Sequence, residues 1–244
     1  MQFPNANNEW RECPKQTVTG VGKFNRQLSG GPDCWAYCVL ELGLLPRGQG
    51  FVFKNLIAKD EMPISFVTAI ENDVITSMQE GVAKEYPIVD VYVALVDATI
   101  HEVDSGDRSF QRAGVLAFQD ACSKAEMVIL EPMATVTITT PKQFADSIQA
   151  DLKQRRGEIL RHEALLNHSC VLEASVPLGE TLGYAAELSQ RTDDSVQVTI
   201  IPNGYAEFPA DIADALRAAR KANEPEKPAV RNLPIQRFPK RKKS

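Results

Sequence analysis

The chain has 244 residues, 43% of them hydrophobic and 24% charged, which is typical of one or two globular domains. No apolar run approaches the roughly 20 residues needed to cross a membrane. The N-terminus also lacks the basic and then apolar pattern of a secretory signal. A cytoplasmic protein without a membrane partner is therefore expected.

The five cysteines are an odd and widely spaced set, unlike the even, dense set of a secreted disulfide framework. Cys34 and Cys38 have the spacing of half a zinc site, but no second pair and no suitably spaced histidines follow them. Free, partly buried thiols and no metal site are expected.

The net charge of −5 is unevenly distributed along the chain. Residues 217–244 contain ten Lys or Arg and two Glu, a charge of +8, which leaves −13 on the preceding 216 residues. Strong nonspecific binding of nucleic acid by the acidic body is therefore not expected. Two interpretations of the tail stay open: electrostatic binding to RNA, or a solvated disordered segment.

The first half of the chain predicts a sheet with two helices. The first sixteen residues show little periodicity and are expected to be an extended or frayed lead-in. Residues 20–53 have the features of strands, and the alternation over 35–42 suggests burial on both faces. Helices are predicted over 63–81 and 106–124, the second with a stripe of small residues that would let it lie close to a sheet or to the first helix.

The second half has the order β-α-β-β-α-β, the split βαβ unit of ferredoxin-like domains. Its first helix is predicted to be capped by Thr140, with Pro141 at the first helical position. A later helix opens at Pro177 and is expected to turn Leu178, Leu182 and Leu188 inward. We predict domains over 1–127 and 128–210, then a short helix and a basic, disordered tail over 211–244.

Residues 90–114, DVYVALVDATIHEVDSGDRSFQRAG, carry the most informative pattern. An alternating apolar strand ends in a loop that exposes His101, and a helix follows. Further short motifs occur in order at 22–24, 29–31, 48–51, 86–90, 130–132, 140–141, 155–157, 176–178 and 183–185. Together they resemble the fourth and fifth domains of elongation factor G, over about residues 10–209.

The resemblance implies an α/β (α+β) fold, in which an elongated domain with a left-handed βαβ crossover precedes a ferredoxin-like domain. In the family, the tip of the fourth domain enters the decoding region of the small ribosomal subunit and follows the tRNA–mRNA duplex. The fifth domain lies at the stalk base near the sarcin–ricin loop of ribosomal RNA. The implied RNA-binding residues are His101, Ser29, Gly30, Gly31 and Asp104 at the tip, and Arg155 and Arg156 in the second domain.

Two of these implications have alternatives. Arg155 and Arg156 lie at a predicted helix C-terminus, where positive charge complements the helix dipole without any ligand. The tip loop continues as Pro32-Asp33 where the family usually has arginine and glycine, which weakens attraction to RNA and stiffens the loop. A regulator that occupies the ribosomal factor site without driving translocation is the resulting alternative function.

No G-x-x-x-x-G-K-[ST] phosphate loop occurs in the chain. Since a separate domain binds GTP in the family, we expect no cofactor here and no enzymatic activity of this chain alone. It is then either part of a protein whose GTPase portion is missing or separate, or a complete stand-alone paralogue, and a monomer is expected.

An enzyme built on the same fold is a further alternative. His168 and Cys170 would share a face of one strand, and a nucleophilic pair is conceivable there. His101 with Glu102 and Asp104 has the residue types of acid–base chemistry. Neither set has a residue to orient it or a water-excluding pocket, so recognition is preferred over catalysis.

Overall fold

The computed structural model describes residues 10–26, 34–58, 60–81, 86–165, 168–209 and 212. The chain divides into two compact segments, Met1–Phe208 and Pro209–Ser244. In the second segment the described feature is a hydrogen bond from the Ile212 amide to the Pro209 carbonyl, 3.0 Å long. The helix and tail predicted after residue 210 otherwise lie outside the described residues.

Met1–Phe208 consists of two units, each a sheet with its own helices, which we call the first and second layers. The first layer is a four-stranded sheet with two helices. Its strands lie in the order β2-β3-β5-β4, with β4 parallel to β5 and the other pairs antiparallel. A helix crosses over between the parallel strands, as their connection requires. The elements are β2 (Val18–Arg26), β3 (Cys34–Leu44), β4 (Phe51–Asn55), α1 (Ile64–Glu80), β5 (Val91–Thr99) and α2 (Asp107–Lys124). Both predicted helices are confirmed to within a residue.

Both helices cover the same face of this sheet. Every second residue of β3, from Ala36 to Leu42, is completely buried, whereas Trp35, Tyr37 and Val39 between them are only partly buried. Burial on both faces, predicted from the alternation, is therefore wrong. Among the described residues, no element covers the second face, so the outward residues keep contact with solvent.

Close packing of α2 on β2 depends on small residues. A Cβ atom added to Gly22 would lie 1.8 Å from the Ala113 carbonyl oxygen, and one added to Gly20 would lie 2.0 Å from that of Ala117. The predicted close approach of this helix to a sheet is confirmed, and it is the glycines of the strand that make room for it.

The second layer has the ferredoxin-like arrangement. Strands run in the order β9-β6-β8-β7, all neighbouring pairs are antiparallel, and its core lies between the sheet and the helices. Its elements are β6 (Met127–Pro141), α3 (Lys142–Gln154), β7 (Glu158–Ala164), β8 (Ser169–Pro177), α4 (Tyr184–Arg191) and β9 (Gln197–Glu207). The predicted α/β fold class and the split βαβ order are confirmed.

Two local predictions in this layer are wrong. Thr140 does not cap α3: it is a buried strand residue paired with Cys170, because β6 continues to Pro141. Leu182 is 72% exposed, because Leu178–Thr181 form a 3₁₀ turn that breaks the continuous helix assumed for this segment. Leu188 is buried, as predicted.

Of the first sixteen residues, those that the structure describes are extended, as one of the two expectations had it, and they include a strand that joins the two layers. Strand β1 (Arg11–Pro14) pairs antiparallel with residues Met127 to Leu130 of β6. Its Glu12 amide donates to the Pro87 carbonyl and its carbonyl accepts from the Val89 amide, both at 2.9 Å, just before β5 begins. The layers are therefore connected by a shared strand as well as by the chain between α2 and β6.

Candidate functional site

The His101 side chain lies in a turn at the end of β5 and is 57% exposed. The turn closes on itself, since the Ser105 amide donates to the His101 carbonyl at 3.0 Å. Helix α2 begins two residues later, with the Ser109 hydroxyl accepting from the Gly106 amide at 2.9 Å. An exposed imidazole is thus held between two rigid elements, which is how a preorganised recognition site is built.

Ser105 anchors this turn to the neighbouring strand. Its hydroxyl group accepts a hydrogen bond from the His101 amide and donates one to the Trp35 carbonyl oxygen. Both distances are 2.8 Å. The Trp35 amide in turn donates to the Asp104 carbonyl at 2.9 Å. The start of β3 and the His101 turn are therefore connected by hydrogen bonds from both Ser105 and Trp35.

Asp104 sets the hydrogen-bonding character of His101. The His101 Nδ1 lies 3.0 Å from a carboxylate oxygen of Asp104. Since a carboxylate only accepts, Nδ1 carries the proton and Nε2 is left for an external partner. In the neutral ring Nε2 accepts, for example from a 2′-hydroxyl; in the imidazolium it donates, for example to a phosphate.

Arg155 is held within the second layer. Its guanidinium donates to the Glu180 carbonyl at 2.9 Å and to a Glu187 carboxylate oxygen at 2.5 Å, and it lies 4.3 Å from the centre of the Tyr184 ring. Asp151 is a further ionic neighbour at 3.5 Å. With 19% of its side chain exposed, Arg155 has a clear role inside the fold.

Arg156 forms a bidentate salt bridge with Glu131. The two terminal nitrogens lie 2.7 and 2.9 Å from the two carboxylate oxygens, and the Glu131 side chain is only 8% exposed. Arg156 has a φ of 61°, in the left-handed position just after α3 where glycine is usual. That backbone conformation directs the side chain back to β6, and it leaves 31% of the arginine exposed.

Two family models match the chain: Elongation factor G, domain IV, over residues 9–126, and Elongation factor G C-terminus, over residues 128–216. This chain belongs to the elongation factor G family. Elongation factor G of Aquifex pyrophilus is 38% identical over 215 residues, which are 88% of this chain and 30% of that protein. A crystal structure from Thermus thermophilus superimposes with a TM-score of 0.79 and 29% identity, over 92% of this chain and 33% of that one.

The chain thus spans about a third of the length of the relatives that it matches. Over this length it corresponds to domain IV and the C-terminal domain of elongation factor G. Within the described residues, no helix is long and apolar enough to cross a membrane. The three residues Ser29, Gly30 and Gly31, predicted to form the neighbouring tip loop, lie outside the described residues.

One of the two side-chain arrangements considered for an enzyme, His168 with Cys170 on one face of a strand, does not form. His168 is not on a strand: it is exposed in the turn before β8 with a φ of 58°, whereas Cys170 is buried on the core side. Burial also raises the pKa of the Cys38 and Cys122 thiols to about 12, which keeps them protonated and unreactive. No cluster of metal-ligating side chains occurs among the residues that the structure describes.

Two residues that hold the His101 turn in place, Ser105 and Trp35, were missed from the sequence. From the sequence, Ser105 is interpreted only as the residue before a helix, and Trp35 as one of several core residues of a strand. The signal that links them is a contact between positions 70 residues apart, which no local pattern contains. For Arg155 and Arg156 likewise, most partners lie 24 to 32 residues away.

Proposed function

We propose that this chain binds the ribosome as the fourth and fifth domains of elongation factor G, with residues 1–127 and 128–210 as the two domains. The His101 tip then contacts RNA in the decoding region, and the second layer lies at the stalk base near the sarcin–ricin loop. In this role the module supports movement of tRNA and mRNA. It acts as a monomer, and GTP is bound by a separate portion of the factor.

The observation that carries the proposal is the anchored, exposed imidazole of His101. Its turn is fixed to β3 through Ser105, and Asp104 orients its ring, so that the cost of ordering Nε2 for a contact with RNA is reduced. A histidine presented in this way can use both hydrogen-bonding modes that RNA offers, the 2′-hydroxyl and the phosphate.

Arg155 and Arg156 are the proposed RNA contacts of the second layer. Both guanidinium groups already have carboxylate partners in the chain. Since Arg156 keeps about a third of its side chain exposed, it is the better of the two for contact with a phosphate, which an arginine paired with one carboxylate can still reach.

The alternative is a regulator that occupies the same ribosomal site without driving movement. Pro32 and Asp33 favour it, because the family usually places a cation and a glycine there. An acid at this position opposes RNA phosphates, and Asp104 adds a second carboxylate at the tip. This alternative keeps the binding surface and gives up only the coupling to translocation.

The first experiment is cosedimentation of the chain with ribosomes across a salt series, with intact elongation factor G as competitor. Binding that the intact factor displaces supports the proposal, and binding that resists displacement, or none at low salt, contradicts it. His101→Ala is expected to weaken binding with unchanged unfolding. Removal of residues 222–244 tests the tail, since a phosphate-binding tail must contribute to the salt slope.

A second experiment separates module from regulator. Ribosomes in the pre-translocation state are supplied with the GTPase-bearing portion of an elongation factor G, with and without this chain. A module is expected to raise the rate of translocation, whereas a regulator leaves that rate unchanged and inhibits the intact factor.

A further inference from the structure

We propose that Trp35 and Tyr37 form a stacking platform for unpaired RNA bases on the open face of the first sheet. The platform extends the His101 contact along β3 and away from the turn. It rests on the proposed function, because it takes RNA as the partner of the tip.

The two rings lie on the same side of β3, since they are two residues apart and Ala36 between them points into the core. Their cross-strand neighbours are polar: Asn25 of β2 is paired with Trp35, and Lys23 is paired with Tyr37. Both neighbours are exposed. Two aromatic rings are thus bordered by an amide and a cation at the tip end of the sheet.

Tyr92, the third aromatic residue on this face, has clear partners within the fold. The Tyr92 hydroxyl donates to a Glu41 carboxylate oxygen at 2.9 Å, and the Lys54 ammonium lies 4.7 Å from the centre of the Tyr92 ring. Among the described residues, Lys23 and Tyr37 have no side-chain hydrogen bond or ion pair. Partly exposed rings with an unpaired cation beside them are typical of a binding surface.

The platform is continuous with the tip. The Trp35 ring centre lies 6.4 Å from that of His101, with the planes 61° apart. The carboxylates of this face, Asp97 and Glu41, lie farther along the strands, level with Val39 and with Ala94. Of the strand residues on this face, those at the end that adjoins His101 are therefore aromatic or cationic, and the acidic ones lie farther along; the Asp104 carboxylate of the turn itself is paired with the His101 ring.

This chemistry fits single-stranded RNA better than a protein partner. Bases stack on aromatic side chains exposed on a sheet, while nearby lysines pair with the phosphates between them. A docking protein would need a contiguous apolar patch, and polar Asn25, Lys23 and Thr99 interrupt this face at each row. Stacking reads no sequence, so the platform would accept any unpaired nucleotides that the tip reaches.

The chain offers a direct optical test, because Trp10 and Trp35 are its two tryptophans. Trp10 contacts the rings of Tyr86 and Phe208, with centroids 5.5 and 5.0 Å away, at the junction of the layers. Trp10→Phe leaves Trp35 as the single tryptophan, whose emission can be excited selectively over that of the tyrosines. Titration of this variant with a labelled oligouridine is expected to quench Trp35 in parallel with binding measured by anisotropy.

Matched substitutions on the same face complete the test. Trp35→Leu and Tyr37→Leu are each expected to weaken oligouridine binding by roughly tenfold, whereas Tyr92→Leu leaves it within about twofold. Lys23→Gln is expected to make the dependence of log affinity on log salt concentration less steep, by the amount that corresponds to about one phosphate contact. Absence of oligouridine binding, binding without quenching, or an equal loss in Tyr92→Leu would overturn the platform.

The same variants in ribosome cosedimentation separate this inference from the function on which it rests. If the unmodified chain binds at the factor site but Trp35→Leu and Tyr37→Leu bind equally well, the platform is wrong and the proposed function stands. If the unmodified chain does not bind ribosomes, the proposed function is wrong; quenching by oligouridine then still decides whether the rings stack on bases.

Discussion

The Ser105 hydroxyl donates to the Trp35 carbonyl oxygen at 2.8 Å, and the same hydroxyl accepts from the His101 amide. One side chain therefore joins the backbone of His101 to that of Trp35, two residues whose rings are proposed to face RNA. Ser105→Ala is expected to cost about 1 kcal/mol of folding stability, the usual value of such hydrogen bonds at a partly solvated site. Ribosome affinity should fall further than stability explains, because the turn is no longer fixed to β3.

Urea unfolding and ribosome cosedimentation measure the two effects of Ser105→Ala separately. Ser123→Ala is the matched control, since the Ser123 hydroxyl makes only a local bond to the Asp120 carbonyl at the exposed end of α2. If Ser105→Ala binds ribosomes as well as this control does, Ser105 has no positioning role.

Arg156 and Glu131 give a second prediction, on stability. Arg156→Ala leaves a nearly buried carboxylate without its partner, so we expect a loss of about 3 kcal/mol in the free energy of unfolding. Glu131→Gln in the same chain removes the unpaired charge and should recover part of that loss. Urea unfolding of the two single variants and the double variant measures their coupling, and fully additive losses would show that the pair is not coupled.

The double variant also tests whether Arg156 contacts RNA. If the arginine acts only within the fold, recovered stability brings recovered ribosome affinity. If it also contacts a phosphate, affinity stays low in the double variant although the protein is folded.

Local patterns were enough to predict what depends on neighbours in sequence. The helix over Ile64–Glu80 and the ferredoxin-like order follow from periodicity and from turn residues. Exposure of His101 follows as well, because an alternating strand ends just before it. These features are decided within a few residues of each position.

Features that depend on distant partners were not predictable in this way. Strand β1 reads Arg-Glu-Cys-Pro, which has no strand pattern, and it exists because β6 offers an edge more than a hundred residues later. The hydroxyl of Ser105 and the carboxylate of Glu131 likewise obtain their roles from tertiary contacts. A single sequence carries no signal for such pairs.

Gly22 gives a third prediction, on packing. A methyl group at this position would lie 1.8 Å from the Ala113 carbonyl oxygen, so Gly22→Ala must push α2 away from β2. We expect a loss of 3 kcal/mol or somewhat less, about the upper end for an overpacked core. Gly106→Ala is the control, because a Cβ there meets nothing within 4 Å and its φ of −156° suits any residue. Equal thermal stability of the two variants would contradict this packing.

Asp120 gives the last prediction, on pH. A hydrogen bond from the Lys124 ammonium, with a second from the Val21 amide, holds the pKa of the Asp120 carboxyl below its ordinary value of about 3.9. A lowered folded-state pKa means that the unfolded chain binds the proton more readily. The stabilisation is therefore complete above the ordinary value and is lost as the pH falls through the lowered one.

Asp120→Asn tests this origin of acid sensitivity. Strand β2 lies at the edge of its sheet, and Asp120 and Lys124 bond to its free backbone groups at Val21 and Thr19. We expect the variant to be less stable than the unmodified chain at neutral pH and to lose less stability between neutral pH and pH 3, as measured by urea unfolding. Asp146→Asn, at an exposed position of α3, should keep the original pH dependence. If Asp120→Asn also keeps it, the carboxylate does not hold the sheet edge to α2.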